Sequence, residues 1–172
     1  MYKVRLVKPI MKYKKEALDY IEESLAINPR VNGAGSLVRL GSYEAFLLHE
    51  EKLKSKSTLP LGSVLGETLY LVNDEDVVIG MINLRYELNG EFGKKYGHIG
   101  YSIRPKFRNQ GYAVIQLKLV LDLYRKKGFK QVMLSTSPDN IGSQKVIIAC
   151  GGYLFETLKI EDEIYLKYWI IL

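Results

Sequence analysis

The spacing of hydrophobic residues predicts alternating helices and strands in the first half of the chain. A helical repeat over residues 12–27 places Ala17, Ile21 and Leu25 on one stripe, and residues 42–55 form a second helical segment. Strands are predicted at 67–73 and 77–88, with the polar run Asn73–Asp76 joining them as a hairpin. Segments rich in Gly, Pro or Asn interrupt this pattern and are predicted loops: 28–35, 57–66 and 89–97.

The second half predicts a strand, a turn, a long helix and another strand. Residues 98–104 alternate as a strand into Pro105, and a helix begins at Gly111 and ends at Gly128, a left-handed cap. The apolar stripe of that helix is Ala113, Leu117, Val120, Leu121 and Tyr124, with Gln116, Lys118, Asp122 and Arg125 mostly opposite.

The strand at residues 131–136 completes a β-α-β unit, for which parallel strands are expected, with ligands at their carboxyl ends. Asp139 or Asn140 caps a short helix that ends at Gly151–Gly152, and residues 153–160 and 163–171 suggest a closing antiparallel pair. The fold class is therefore mixed α/β.

The turn between the predicted strand and long helix has the features of an anion site. Backbone N–H groups at a helix start have no intrahelical partner and carry the positive end of the helix dipole. Arg108 adds a charge, and Gly111 has no Cβ to keep a phosphate from the backbone. The alternative is a basic turn that binds nothing.

Composition indicates one ordinary domain, expected to span residues 1–172. Of the residues, 47% are apolar and 26% are charged, and a chain of 172 residues can bury a proper core. The single Cys150 excludes an internal disulfide, and the first residues lack the apolar segment of a signal peptide. We therefore expect a cytoplasmic location.

The sequence lacks the motifs of several other kinds of active site and binding site. No P-loop, complete dinucleotide fingerprint or nucleophile elbow is present, and two histidines and one cysteine cannot form a standard structural zinc site. The net charge of +6 comes from small basic groups interrupted by acids, so we expect no nucleic-acid partner. The apolar Tyr168–Leu172 is too short to span a membrane, and no membrane or metal association is expected.

Residues from about 98 to 155 resemble the core of the GNAT superfamily, the Gcn5-related N-acetyltransferases. The family signature, Gln/Arg-x-x-Gly-x-Gly/Ala at a strand-to-helix turn, is matched by Arg108–Ala113. The family's helix-opening Asn is matched by Asn140, and its terminal glycines by Gly151–Gly152. The resemblance implies a central mixed sheet of about six to seven strands flanked by helices, with a β-α-β core that binds acyl-CoA.

The resemblance also implies acetyl-CoA as cosubstrate and direct transfer of its acetyl group to a primary amine. Its pyrophosphate would lie on Arg108, Asn109, Gln110, Gly111, Tyr112 and Ala113, and its pantetheine arm would pair near Ile103. A backbone N–H of the strand Tyr101–Ile103 would stabilise the oxyanion.

The catalytic acid and base are less clear from the sequence. His98 stands where many relatives have a Glu and is the candidate base, although a structural histidine at a strand start is an equal alternative. Asn140 would hold pantetheine or a water. The position of the usual acid, Tyr, is Ile147, which leaves Ser143 or Tyr153 or no dedicated acid.

The sequence does not specify the acceptor of the acetyl group, which could be a small amine, an amino acid, an antibiotic or a protein N-terminus. The loops 28–42 and 89–97 would shape its site and are poor in acidic residues apart from Glu91. Glu67 and Glu87 could attract a cationic amine, although strand carboxylates more often face solvent. The alternative to an enzyme is a CoA-binding module that has lost catalysis, and a basic nucleic-acid binder is a weaker third possibility. A homodimer through the apolar strand 164–172 is conceivable, with burial of that strand in its own sheet favoured.

Overall fold

The computed structural model describes residues 3–90 and 92–172. Seven strands and five α-helices are found within these ranges, and they follow the chain in the order β1 (Val4–Val7), α1 (Lys14–Leu25), α2 (Leu37–Leu40), α3 (Tyr43–Lys52), β2 (Gly66–Asn73), β3 (Val78–Arg85), β4 (Ile99–Ile103), α4 (Tyr112–Lys126), β5 (Gln131–Thr136), α5 (Ile141–Ala149), β6 (Gly152–Ile160) and β7 (Glu163–Ile171). The predicted helices and strands are confirmed, whereas β1 and α2 were not predicted.

The chain divides into two compact units. The first holds residues up to Glu87 together with Gly100–Ala113, and the second holds Leu88–Ile99 together with Val114–Leu172. Glu91, the acidic residue of the predicted acceptor loop 89–97, lies outside the described residues. The predicted loop around it contains a π-helical turn at Phe92–Tyr96.

The first unit is built on a four-stranded sheet in the order β1-β2-β3-β4. Val7 pairs with Tyr70 and Gly66 pairs with Arg85 in antiparallel ladders, and the Arg104 amide donates to the Ile79 carbonyl beside the end of β4. Residues of α1, α2, α3, the segments before α1 and α2, and the sheet form one core: Tyr13, Ala17, Tyr20, Ala34, Leu37, Tyr43, Phe46, Tyr70, Val72, Val78 and Met81. Burying this apolar surface is what holds the helices on the sheet.

The second unit is built on a three-stranded sheet in the order β5-β7-β6. The last strand, β7, pairs antiparallel with β5 on one edge and with β6 on the other. Burial of this strand in its own sheet is therefore confirmed. The alternative, a dimer formed by pairing β7 across a two-fold axis, is wrong for this strand because neither of its edges is open.

Two expectations about the β-α-β segment need correction. The order β4-α4-β5 is as predicted, but β4 and β5 belong to different sheets and do not form a parallel pair. Next to β4, Gly97 instead forms a single antiparallel bridge with Leu134 of β5. The amphipathic pattern also misplaced Gln116, which is fully buried on α4 although the pattern put it on the polar face.

The remaining features of α4 agree with the sequence. Leu117, Val120, Leu121 and Tyr124 are all buried, and Gly128 follows the helix with a left-handed φ of 84°. No helix among the described residues is long and apolar enough to cross a membrane.

Candidate functional site

The turn after β4 presents backbone N–H groups to solvent. A 3₁₀ turn at Pro105–Phe107 leads into it, and α4 begins at Tyr112. Asn109 and Gly111 have left-handed φ angles of 59° and 83°. In the part of the chain that the structure describes, the amides of Asn109, Gln110 and Gly111 donate no backbone hydrogen bond. Together with the first turn of α4, these amides form a cradle for an anion.

Open space and positive charge complete the cradle, which consists of Arg108–Ala113. A Cβ built on Gly111 would meet no atom within 4 Å, so the space over this glycine is available to a ligand. Arg108 is exposed, and its Nε donates to the Ile103 carbonyl over 3.0 Å. That hydrogen bond fixes the guanidinium beside the turn and leaves its other nitrogens available for an anion.

A buried ion-pair network anchors the residue from which the turn starts. Arg104 donates to both carboxylate oxygens of Glu23, over 2.8 Å from Nε and 2.6 Å from Nη2. Its Nη1 also contacts Glu16 over 2.8 Å, and the same Glu16 oxygen accepts the Val78 amide. These bonds tie the end of β4 to α1. No local sequence signal indicates this network, because the partners lie more than 80 residues from Arg104.

The strand β4 also contacts the loop after α1. The Ser102 hydroxyl bonds to the Tyr20 hydroxyl over 2.8 Å and donates to the Asn32 carbonyl. A Cβ on Gly33 would lie 2.3 Å from the Met81 carbonyl oxygen and 2.8 Å from the Tyr101 Cα, so only glycine fits there. The loop 28–35 therefore lies directly on β3 and β4, in the region where an acceptor was expected.

His98 lies in the interior of the second unit. It is only 8% exposed, and its ring stands edge-on to Tyr124 and Phe129. The Met133 amide donates to His98 Nδ1 over 2.9 Å, so a neutral ring carries its proton on Nε2. This geometry is that of the structural histidine. A role as base stays a prediction, and it requires Nδ1 to give up the Met133 amide.

Asn140 and Ser143 meet at the start of α5. Asn140 is the N-cap, and its Oδ1 accepts the Ser143 amide over 3.0 Å, as the capping interpretation predicts. Ile147 is fully buried, and a Cβ on Gly152 would lie 2.4 Å from its Cγ2. Tyr153, by contrast, is half exposed. Ile147 thus belongs to the core and offers no proton.

Cys150 is a half-buried free cysteine at the end of α5. Its Sγ lies 3.9 Å from the Val114 carbonyl oxygen, and burial raises the pKa of the thiol. A raised pKa lowers the thiolate fraction at neutral pH, which makes a nucleophile less reactive.

The candidate residues are distributed over both units. Ile103 and Arg108–Ala113 belong to the first unit, and His98, Asn140 and Ser143 belong to the second. Within the first, the Arg108–Ile103 hydrogen bond brings the two predicted cofactor positions together. Within the second, the cap brings Asn140 and Ser143 together. The acidic candidates are already engaged, since Glu67 accepts from the Tyr86 hydroxyl and Glu87 pairs with Lys56 over 3.0 Å.

Comparison with known proteins gives two kinds of similarity. The family model for the acetyltransferase (GNAT) domain matches residues 43–152. No curated protein sequence matches the chain significantly. Among solved structures, the microcin C7 self-immunity acetyltransferase MccE, in complex with acetyl-CoA and AMP, is 15% identical with a TM-score of 0.73, covering 99% of this chain and 93% of that chain.

Two acetyltransferases of ribosomal proteins are similar in fold as well. The ribosomal-protein-S5-alanine acetyltransferase from Vibrio fischeri is 18% identical with a TM-score of 0.66, covering 98% of this chain and 91% of that chain. The Salmonella typhimurium enzyme that modifies the N-terminal serine of L7/L12 is 13% identical with a TM-score of 0.69, covering 99% and 95%. At these identities the structures establish the shared fold, and the family match, which spans most of the chain, establishes that this protein belongs to the GNAT acetyltransferase family.

Proposed function

We propose that the protein is an acetyl-CoA-dependent N-acyltransferase that moves an acetyl group directly to a primary amine, and that residues 1–172 act as one such domain. The observation that carries this proposal is the cradle Arg108–Ala113. Its amides, its exposed arginine and its open space over Gly111 suit the pyrophosphate of CoA. The structure of MccE contains acetyl-CoA, which supports acetyl-CoA as the cosubstrate in this proposal.

In this proposal the pantetheine arm runs along β4. This strand is at the edge of the first sheet, so its outer side can accept a further extended segment. The Ile103 carbonyl accepts from Arg108. The arm and the oxyanion are proposed to use backbone groups on the outer side of β4. Asn140, as cap of α5, is proposed to hold pantetheine or a water.

The chemistry is direct displacement at the thioester carbonyl. The neutral amine nitrogen forms the new C–N bond, the C–S bond breaks, and CoA leaves as a thiolate that then takes up a proton. A proton must also leave the amine, and His98 is the proposed acceptor of it, with the change of hydrogen bonding at Nδ1 described above. Backbone N–H groups of Tyr101–Ile103 are proposed to stabilise the oxyanion. The proton donor to the thiolate is unassigned, with Ser143 and Tyr153 as candidates.

The acceptor is proposed to be a small-molecule amine or a protein N-terminus. Structures of similar fold include enzymes named for the N-terminal serine of L7/L12 and for alanine of S5, as well as a microcin self-immunity enzyme. These names cover both acceptor classes and do not choose between them.

A catalytically impaired CoA-binding module is the second candidate function. It is favoured by one observation, the buried Ile147 in place of the tyrosine that protonates the thiolate in many relatives. Such a module would keep the cradle and its affinity for CoA. It would release no free thiol from acetyl-CoA with any amine.

Calorimetric titration with acetyl-CoA and with CoA tests both candidates. We expect the wild type to bind, and Gly111→Asp to lose at least about tenfold in affinity because a carboxylate then faces the phosphates. Gly128→Asp is the matched control, since Gly128 has a φ of 84° and equally open surroundings at the other end of α4. It carries the same backbone strain and should bind normally.

The outcomes separate the hypotheses. A wild type that binds neither ligand would refute the enzyme and the module together. If the wild type binds, thiol release from acetyl-CoA over a panel of amines distinguishes an acyltransferase from a binding module.

A further inference from the structure

A cavity in the first unit lies apart from the cradle. Its volume is about 310 Å³, within the range of small-molecule sites, and it is bounded by Lys8–Met11, one side of α3 and the start of β2. The strand ladders place it far from the turn. The start of β2 pairs with the end of β3, whereas the end of β4, which leads into the cradle, lies beside the start of β3. Cavity and cradle therefore lie at opposite ends of the same sheet.

The wall of this cavity contains a buried carboxylate. Glu50 is only 5% exposed, and its two oxygens accept the Thr68 amide over 2.6 Å and the Thr68 hydroxyl over 3.0 Å. Asn83 Nδ2 donates in turn to the Thr68 hydroxyl oxygen over 3.2 Å. Every donor in this row points toward Glu50, so the row stabilises the negative charge of its carboxylate.

Glu50 has no cationic partner among residues 3–90 and 92–172. Neighbouring charges are engaged elsewhere, since Glu51 pairs with Lys54 and Glu67 accepts from the Tyr86 hydroxyl. Lys8, the other lysine of the wall, is exposed. A buried carboxylate without a countercharge is costly, and burial correspondingly raises the pKa of Glu50. The cavity gives a cation a way to reach it.

One side of the wall is apolar, whereas Lys8, Glu51, Lys54 and Glu67 place charged side chains on the rest of it. Ile10, Met11 and Leu48 each expose about half or more of their surface there, although residues of these types are usually buried. Leu47 adds to the same surface. An apolar surface beside a buried carboxylate matches a ligand that has a hydrocarbon body and a single positive end.

We propose that this cavity binds a small organic ammonium ion, with the charged nitrogen at Glu50 and the hydrocarbon body against Ile10, Met11, Leu47 and Leu48. The ammonium would supply the countercharge that the chain does not, and a neutral compound of the same shape would lack that contribution. This inference is independent of acetyl transfer and of CoA, because the cradle contributes no residue to the cavity.

Titration with hexylammonium chloride, followed by calorimetry or by NMR, tests the proposal on the full chain saturated with CoA and on the chain alone. We expect binding in both samples, and affinity for uncharged hexanol lower by at least about tenfold. Glu50→Gln should lower hexylammonium affinity at least about tenfold, while Glu51→Gln, a matched change on the same wall, should leave it nearly unchanged.

A second variant tests the proposal if the Glu50→Gln protein does not fold. Leu48→Lys changes a largely exposed wall residue and places a positive charge in the cavity, so it should abolish hexylammonium binding without unfolding the protein. Equal affinity for hexanol and hexylammonium, unchanged binding by a folded Glu50→Gln protein or by Leu48→Lys, or no binding by the wild type would each overturn the proposal.

Discussion

Replacing Arg104 with methionine should destabilise the first unit and so test the network that anchors the start of the cradle. The Arg104 side chain is 3% exposed, and it makes three charge-assisted contacts of 2.6–2.8 Å with Glu16 and Glu23. Breaking a fully buried pair costs about 3–5 kcal/mol. Here the two carboxylates are 31% and 39% exposed and can be hydrated after the change, so we expect a loss of about 2–3 kcal/mol in unfolding free energy.

A double-mutant cycle separates the interaction energy of Arg104 and Glu23 from the energy lost with the packing of each side chain. Urea unfolding of the wild type, Arg104→Met, Glu23→Gln and the double variant should give a coupling of about 1–2 kcal/mol between Arg104 and Glu23. Additivity within about 0.5 kcal/mol would show that the pair contributes no coupling and would refute the reasoning.

The same cycle has a predicted pH dependence. Arg104 lowers the pKa of Glu23 through its hydrogen bonds and charge, so the native state holds this proton less tightly than the unfolded state does. The stabilisation is therefore present above the unfolded pKa, about 4.3, and is lost as the pH falls through the lower native value. The stability gap between wild type and Arg104→Met should shrink in that acid range. A gap that stays constant there would contradict the assignment.

Three further predictions concern buried polar groups. His98→Asn should stay folded, because the Asn Oδ1 can accept the Met133 amide, whereas His98→Leu leaves that amide unpaired and should lower the unfolding free energy by about 1–3 kcal/mol in thermal or urea unfolding. A fall of about 10²–10⁴-fold in kcat for the folded Asn variant would support His98 as the base. Unchanged turnover would exclude that role. Burial raises the pKa of Glu50, so its contribution to stability is lost as the pH rises from the unfolded value, about 4.3, toward the native one. Urea unfolding should therefore show the stability of Glu50→Gln increasing relative to that of the wild type over this range, and a pH-independent difference would argue against this. Gln116→Leu should raise the unfolding free energy by about 1–3 kcal/mol, because both amide atoms are buried without a partner among the described residues, and a lower melting temperature would show that they have one.

Local signals in the sequence were enough for most elements of the fold. The 3.6-residue and two-residue periods predicted α4 and β5, and the capping residues Asn140 and Gly128 marked helix ends that the structure confirms. The strand β1 escaped prediction because four residues are too few to show a period. Gln116 was misplaced because a period predicts which residues share a face, but the width of the buried face depends on what packs against it.

Residues of the candidate site and of the cavity likewise differ in whether local sequence signals identify them. The cradle could be found from sequence because its parts, from Arg108 to Ala113, are adjacent and act through backbone geometry. Glu50 could not be found, because the packing of α3 brings it to its partner Thr68, and the pairing of β2 with β3 places Asn83 against Thr68. His98 was singled out by its position, but its bond to Met133, which is 35 residues away, decides which nitrogen carries the proton.

The sequence by itself determined the order and type of most elements, the turn proposed to bind an anion and the resemblance to its family, since periodicity, caps and turn residues act between near neighbours in the chain. Only the tertiary structure decided that β7 lies between β5 and β6, that β4 and β5 belong to different sheets, and that Arg104 meets carboxylates 81 and 88 residues away. The physical reason is that strand and side-chain partners are chosen by packing and burial over the whole fold, and a local pattern specifies that a surface must be covered without specifying by what.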